Sequence, residues 1–516
     1  MKKEYLVSAK EMKMLDENTI TKTGIPSLVL MERAAKAVAD CVMQYCNMTG
    51  AGRILIVAGN GNNGADGICA GRILKEYGYE TDICLLKSKH DYTEELLLQK
   101  KIADTYRIPF LKEEEVDFAH YKVVVDAIFG IGINRDVEGS AKEMITGINA
   151  SDCYIISIDI PSGINASTGA VCGIAVKANE TITFGFYKCG QLFYPGRKYC
   201  GKITKAYIGI NETSFYGVNP SMITYIGEPD EKIDLGRNAA GNKGTFGKVL
   251  VIAGRSSTTG AALLCAKSAI RSGCGMVAVL TETENKDAFL AELPEVMVET
   301  YRRDDESARL YAKLDKWLAW ADVCVIGCGL STDGIAYKLL SHTLIEFDKT
   351  IVADADAINL FAIHDELKEL LDNRRAEIGK ASVIFTPHPG ELASLAHCSI
   401  ADIKEERLAY AGKICREYGV ILIAKDADTL CMAGGECSYL NCSGNDGMST
   451  AGSGDVLAGL VGSFVAQTMR AGSSIYEAVC LAVYVHGLSG DYQAKCNGKA
   501  FMVASDIIEA YKYILK

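Results

Sequence analysis

The sequence predicts an α/β protein of two domains, each built around a mainly parallel sheet, and three observations carry that prediction. Short β-rich apolar runs alternate with longer helical patterns along most of the chain, as happens when helices cover both faces of a parallel sheet. The alternation comes in two series separated by residues 211–234, where Gly217, Asn219, Pro220, Gly227 and Pro229 accompany a short acidic cluster and no period is sustained. The length of 516 residues exceeds one small domain, since a domain takes roughly 150 residues. A first domain at 1–215, a linker at 216–234 and a second domain at 235–516 are therefore expected. Hydrophobic residues at 49% and charged residues at 23% match ordinary globular chains and exclude disorder and fibres.

Strands of the first series are predicted at 53–58, 81–86, 122–127, 154–160 and 181–184. Those of the second fall at 248–253, 276–280, 323–326, 350–353, 382–385 and 420–424. Both series contain a strand ending in Ala-Gly, at Ala58-Gly59 and Ala253-Gly254, but the loops that follow differ in residues and spacing. The similarity is convergent turn chemistry rather than an internal repeat.

Charge narrows the partners. With 54 Lys+Arg against 65 Asp+Glu the net charge is −11, so the global field repels nucleic acid and anionic membranes, and phosphate groups must be held by local features. The apolar stretch 456–469 falls short of the roughly 20 residues that span a bilayer. The first residues are polar and lack the apolar core of a signal peptide, so a cytoplasmic location is expected. The 19 Cys lie mostly in apolar runs, as at Cys84, Cys265, Cys324 and Cys480, without a Cys-x-x-Cys pair, and read as reduced core residues. With only 7 His and none at ligand spacing from a Cys, zinc is not expected.

After its first clear strand the chain reads Gly59-Asn60-Gly61-Asn62-Asn63-Gly64-Ala65-Asp66-Gly67. Formally this satisfies the Gly-x-Gly-x-x-Gly dinucleotide fingerprint. The next strand, however, ends Leu85-Leu86-Lys87 without the acidic residue that holds a ribose, which speaks against an ordinary dinucleotide oxidoreductase. Asn62, Asn63 and Asp66 instead add oxygen and amide groups beside backbone N–H donors, a set suited to a polar ligand with a hard cation nearby. Asp126 with the loop 130–136, and Asp159-Ile160-Pro161-Ser162-Gly163, follow two further strands. Carboxyl ends of parallel strands share one edge, so the three loops are expected to converge on one crevice.

These motifs, with Gly24-Ile25-Pro26-Ser27 and Leu30-Met31-Glu32-Arg33-Ala34-Ala35 before them, resemble the NAD(P)H-hydrate epimerase family. The resemblance spans roughly residues 1–215 and implies a Rossmann-like three-layer sandwich. It also implies that Asn62, Asn63, Gly64, Ala65, Asp66, Gly130, Ile131, Gly132, Ile133, Asn134, Arg135, Asp136 and Asp159 contact a hydrated nicotinamide nucleotide, and that Asn63, Asp126 and Ser162 hold a potassium ion. Ala65 stands where the family usually has Gly.

In the second half, Gly452-Ser453-Gly454-Asp455 runs into the small-residue helical pattern beginning at Val456. Glycine-rich backbone at a helix N-terminus presents unpaired N–H groups and the positive end of the dipole to an anion. A carboxylate placed there, Asp455, can take a proton from a hydroxyl that receives a phosphoryl group. Lys425 after a strand is a local positive charge for a phosphate, and His388, between Pro387 and Pro389, has a rigid backbone from which to aim its imidazole. These residues, with 243–254, Gly260-Ala261-Ala262, Gly327-Cys328-Gly329-Leu330, 386–391 and 425–429, resemble the ADP/ATP-dependent NAD(P)H-hydrate dehydratase family of the ribokinase-like superfamily. By that resemblance Ala261, Gly329, His388 and Asp455 bind the hydrated cofactor, while Lys425, Asp426, Ala427, Asp428, Thr429 and Gly454 bind the adenine nucleotide. Cys328 replaces a usual Pro, and Asp426 and Asp428 replace small residues. Two added negative charges beside a phosphate weaken nucleotide binding unless the side chains turn away.

Together the resemblances imply one homo-oligomeric enzyme repairing hydrated NADH and NADPH, with ADP or ATP as co-substrate and potassium and magnesium as cofactors. Epimerisation at C6 would use Asp159 as acid/base residue. Dehydration of the S epimer would use Asp455 as base, ADP giving AMP and phosphate. The alternatives are a ribokinase-like kinase of a small alcohol fused to a nucleotide-binding sensor, or a non-catalytic nucleotide sensor.

Overall fold

The computed structural model describes residues 2–50, 52–87, 91–227, 232–237, 239–378, 382–472 and 474–516. The chain forms two compact units whose main bodies are Glu4–Met222 and Ile223–Lys516. Residues 228–231, which include Pro229 of the expected linker, lie outside the described residues. Within 216–234 a strand forms at Met222–Ile226, next to Ser438–Leu440 in the sheet order.

The first unit holds a seven-stranded sheet in the order Phe110–Leu111, Thr81–Leu85, Ile54–Ala58, Val123–Ala127, Tyr154–Ile158, Glu180–Phe184, Lys202–Ala206, every neighbouring pair parallel. Alternate residues of each strand serve opposite faces. Ile54, Ile56 and Ala58 pack under the helices Ser27–Thr49 and Asn62–Glu76. Leu55 and Val57 face Met144, Ile145 and Ile148 of the helix Gly139–Ala150. The result is a three-layer sandwich, and each fully buried Ile or Leu contributes about 1.5–3 kcal/mol. Strand order reverses between Ile54–Ala58 and Val123–Ala127, and it is at such a reversal that the loops diverge and open a crevice.

The second unit repeats the logic with strands Met297–Tyr301, Met276–Glu282, Lys248–Ile252, Val323–Ile326, Thr350–Ala353, Val383–Phe385 and Ile421–Ala424 in parallel order. An antiparallel extension of Leu430–Met432 and Ser438–Leu440 follows. Strands such as Val323–Ile326 and Thr350–Ala353 are buried at every residue, as expected where both faces are covered. The helix Ser453–Ala471 lies tight against the helix Thr259–Arg271. A Cβ on Gly459 would sit 2.1 Å from the Cys265 carbonyl oxygen, which explains the small residues in this helix. No helix among the described residues is long and apolar enough to cross a membrane.

The expected strand 154–160 ends at Ile158, because Asp159 turns out of the sheet with φ 63. Lys202–Ala206 escaped sequence reading because its lysines break the apolar run, and it lies at the sheet edge, where no face is fully covered. Most of the nineteen cysteines are buried.

Candidate active sites

A cavity of about 1090 Å³ opens at the strand reversal of the first unit. Its lining includes Asn62, Asn63 and Asp66 from the start of the helix Asn62–Glu76, all of Gly130 to Asp136, and Asp159. Gly64 and Ala65 are buried instead: a Cβ on Gly64 would meet the Gly59 carbonyl oxygen at 2.1 Å, so this close approach demands glycine. Asp126 and Ser162 are fully buried and do not line the cavity.

Charge in this cavity is unusual. Asp159, a non-glycine residue held at φ 63, sits where backbone strain of order 1–3 kcal/mol persists only if its surroundings enforce it. They do: Gln191 Nε2 donates to the Asp159 carbonyl at 2.5 Å, and Phe184 N donates to Oδ1 at 3.2 Å. The ammonium of the wholly buried Lys188 also pairs with Oδ1, and donates to Thr183 Oγ1 and the Phe184 carbonyl, both at 3.0 Å. Two more carboxylates crowd the same space. Burial, then repulsion from Asp159 and Asp16, holds the Asp66 carboxyl well above the ordinary range. Asp16, from the helix Ala9–Thr21, lines the cavity and is exposed to solvent there, although the protein around its carboxyl partly buries it. That burial, with repulsion from Asp159 and against the pull of Lys188, pushes it up to about 6. Asp16 and Lys188 were missed in the sequence. Asp16 belongs to no motif, and nothing local marks a lysine as fully buried.

The three residues implied for potassium stand close together. Ser162 donates from Oγ to Asp126 Oδ1 at 2.5 Å and from N to Oδ2 at 2.9 Å, and Ser157 Oγ adds a bond at 2.7 Å. Asn63 packs on Gly130, where an added Cβ would lie 3.3 Å from its Oδ1, and Phe129, one residue earlier, donates to Ser162 Oγ at 2.8 Å. Asn63 Nδ2 is buried without a hydrogen-bond partner. The amide oxygen, carboxylate and hydroxyl form an all-oxygen set of the kind that suits a hard cation, whereas the unpaired Nδ2 is a donor that would need an acceptor.

In the second unit, Lys425 leaves the strand Ile421–Ala424 and its Nζ donates to Asp354 Oδ1 at 2.7 Å. Burial works against this ammonium, but Asp354 and Glu391 outweigh it and raise its pKa above the ordinary value. A Cβ on Gly454 would lie 3.2 Å from Lys425 Nζ, so the cation stands at the first turn of the helix Ser453–Ala471. Asp455 occupies the same turn. Burial, helped by Asp354 and opposed by Cys328 and Lys425, pushes its carboxyl up to about 6, a value suited to a base working near neutrality. Cys328, Asp354 and Asp455 present their ligand atoms within 4.8 Å of one another. Because Lys425 already supplies positive charge to Asp354, we assign no metal there. Gly329 follows Cys328, and a Cβ on it would come within 3.0 Å of the Ala261 Cβ, so these two predicted contacts are adjacent.

His388 does cap a helix with its imidazole. Nδ1 accepts from Gly390 N at 3.0 Å and Glu391 N at 3.2 Å, at the start of Pro389–Ala396. Burial and Lys425 lower its pKa, and an Nδ1 that accepts two N–H bonds requires the neutral ring. Burial pushes its capping partner Glu391 up to about 7. The Lys425 amide donates to the Pro387 carbonyl at 2.8 Å, joining this loop to the loop from Lys425 to Thr429.

The two acidic departures turn toward Arg407. Asp428 is buried and paired with Arg407 Nη1, while Arg407 Nη2 donates to the Asp428 and Ala424 carbonyls at 2.6 and 2.8 Å. Asp426 lies 3.8 Å from the same guanidinium, its Oδ1 accepts from Ala427 N at 2.8 Å, and Thr429 Oγ1 donates to its carbonyl at 3.1 Å. Removing one partner of a buried ion pair costs roughly 3–5 kcal/mol. Arg407→Met is thus expected to lower the stability of the second unit by about that amount, read from denaturant unfolding. Adding Asp428→Asn should restore part of the loss. Arg407 carried no sequence signal. Asp354 did, standing at the carboxyl end of Thr350–Ala353 like the residues that were found.

Two parallel-sheet units, one with an acid–base cavity and one with an ammonium and a carboxylate at a helix N-terminus, define an enzyme with two separate nucleotide-type sites. The family model described as NAD(P)H-hydrate dehydratase matches residues 249–512, and that described as YjeF-related protein N-terminus matches residues 27–190. The chain is 32% identical to the bifunctional NAD(P)H-hydrate repair enzyme Nnr of Moorella thermoacetica, over 99% of this chain and 97% of that protein. It belongs to the bifunctional NAD(P)H-hydrate repair enzyme family. Among solved structures, a ribokinase-like superfamily protein from Enterococcus faecalis V583 is 28% identical with a TM-score of 0.46, covering 57% of this chain and 98% of its own. ADP/ATP-dependent NAD(P)H-hydrate dehydratase from Bacillus subtilis, co-crystallised with ATP and Mg2+, is 23% identical with a TM-score of 0.45, covering 54% and 92%.

Proposed function

We propose that residues 1–215 interconvert the R and S hydrates of NADH and NADPH at C6, and that residues 235–516 dehydrate the S hydrate at the expense of ADP, yielding AMP and phosphate. The observation that carries the second half is Asp455 beside the Lys425 ammonium at a glycine-rich helix start. Hydroxide leaves carbon poorly, whereas phosphate leaves well. Asp455 takes the proton of the C6 hydroxyl as it receives the phosphoryl group, and the helix amides with Lys425 face the charge that develops. The ring-nitrogen lone pair then helps expel phosphate, leaving a C6=N1 iminium, and loss of a C5 proton to water restores the C5=C6 double bond. Gly454 and the loop from Lys425 to Thr429 hold the adenine nucleotide, with which magnesium travels. Ala261, Gly329 and His388 hold the hydrated dinucleotide.

In the first unit Asp159 exchanges protons with the substrate, while Asn62 to Asp66 and Gly130 to Asp136 hold the nucleotide. Potassium at Asn63, Asp126 and Ser162 would supply a fixed positive charge that organises the loops. The enzyme works as a homo-oligomer on dinucleotide in the cytoplasm. The test is to give the chain mixed hydrate epimers with ADP or ATP and to follow recovery of the dihydronicotinamide absorbance. A lasting phosphate ester would instead favour the small-alcohol kinase reading. Epimerisation should be faster in potassium than in matched sodium or choline buffer, and equal rates in all three would remove the cation assignment.

A further inference from the structure

We infer that Asp16 is the second proton-transfer group of the epimerase cavity, working opposite Asp159. This rests on the epimerase reading of the first unit.

A tetrahedral carbon cannot invert in place; one of its bonds must break and re-form. C6 of the hydrate carries a hydroxyl and a bond to the ring nitrogen. A base removes the hydroxyl proton, the C6=O bond forms, the C6–N1 pair moves to nitrogen, and an acid protonates N1. After rotation about the C5–C6 bond the steps run backward on the other carbonyl face. N1 returns its proton, its pair re-forms the bond to C6, and the oxygen recovers a proton. No oxidant or reductant is consumed. Two groups are needed, one starting as base and one as acid.

Asp159 is built as the base. Its Oδ1 already accepts from the buried Lys188 ammonium and from Phe184 N, so it meets the cavity as a carboxylate. The acid must come from elsewhere in the lining. Asp16 lines the cavity from the helix Ala9–Thr21, close enough to Asp159 and Lys188 to feel both charges. The titratable groups facing it are Asp66 from the helix Asn62–Glu76, Asp159 after the strand Tyr154–Ile158, and Lys188 of the strand Tyr187–Lys188, with Lys13 lining the cavity from its own helix. Partial burial, with repulsion from Asp159 outweighing the pull of Lys188, favours a protonated Asp16. Asp66 is the other carboxyl of the lining, but it belongs to the stretch Asn62 to Asp66 already assigned to holding the nucleotide, and a proton carrier must both give and retake. Asp16, at about 6, can do both.

The experiment uses the full chain. Epimerisation is measured without nucleotide by chromatography of the R and S hydrates across pH, and dehydration of purified S hydrate is measured separately. Asp16→Asn should slow epimerisation by about 10²-fold or more and leave dehydration unchanged, the latter confirming a folded chain. Wild-type kcat/KM should fall tenfold per pH unit above about 6, and this limb should vanish in Asp16→Asn. Asp16→Glu should regain part of the rate and the limb. A wild-type rate in Asp16→Asn overturns the inference, as does a slowed rate with an unchanged pH profile, which would mark a structural role. No epimerisation by the wild type would overturn the epimerase reading itself.

Discussion

Asp455→Asn should reduce dehydration of the S hydrate by about 10²–10⁴-fold, the usual loss with a general base, while epimerisation proceeds at the wild-type rate. The substitution keeps size and hydrogen bonding in the first turn of Ser453–Ala471. Losing the favourable charge–dipole interaction costs only about 0.3–1 kcal/mol, so the unit should still fold. With Asp455 near 6 and required as carboxylate, wild-type dehydration should fall tenfold per pH unit below that value, and the residual rate of the variant should lose this limb. Rates of NADH recovery from purified S hydrate between pH 5 and pH 8 check both points. A near-normal rate in the variant would show that another group takes the proton.

Asp159→Asn should give the reverse pattern: S hydrate is consumed with nucleotide, while R hydrate persists, with epimerisation slowed by about 10²–10⁴-fold. Here stability must be watched. The substitution strips the wholly buried Lys188 of its anion, and breaking such a pair costs roughly 3–5 kcal/mol. Asp159→Asn combined with Lys188→Met removes both charges, so it should recover much of the stability without recovering epimerisation. Chromatography of the epimers together with denaturant unfolding separates the two effects. Restored epimerisation in the double variant would show that the charge pair serves folding alone.

Sequence reading succeeded where the chain repeats one physical arrangement. Fully buried parallel strands such as Val323–Ile326 and Thr350–Ala353 are unbroken apolar runs, and the loops after them carry the groups that cannot be buried in a sheet. Asn62 and Asp159 were legible for that reason, and Asp455 from the glycine-rich start of the helix Ser453–Ala471. Three-residue strands such as Leu430–Met432 and Ser438–Leu440 are too short to display a period. The turn of Asp159 into φ 63 is imposed by Gln191, Phe184 and Lys188, which come later in the chain. Arg407 and Asp428 meet 21 residues apart, so where these acidic side chains turn could be read only from tertiary contacts. Asp16 acquires its character from Asp159 and Lys188, groups that no local pattern connects to it.

The most direct test of the central claim, that one chain carries both steps of repair, is a time course of wild-type enzyme with an equimolar mixture of R and S hydrates, ADP and magnesium in potassium buffer. R hydrate, S hydrate, AMP, phosphate and NADH are followed together. The account predicts that both hydrates disappear and that one NADH, one AMP and one phosphate form per hydrate consumed. Halting at half conversion with R hydrate left would contradict the first site, and accumulation of a stable phosphorylated product in place of NADH would contradict the second.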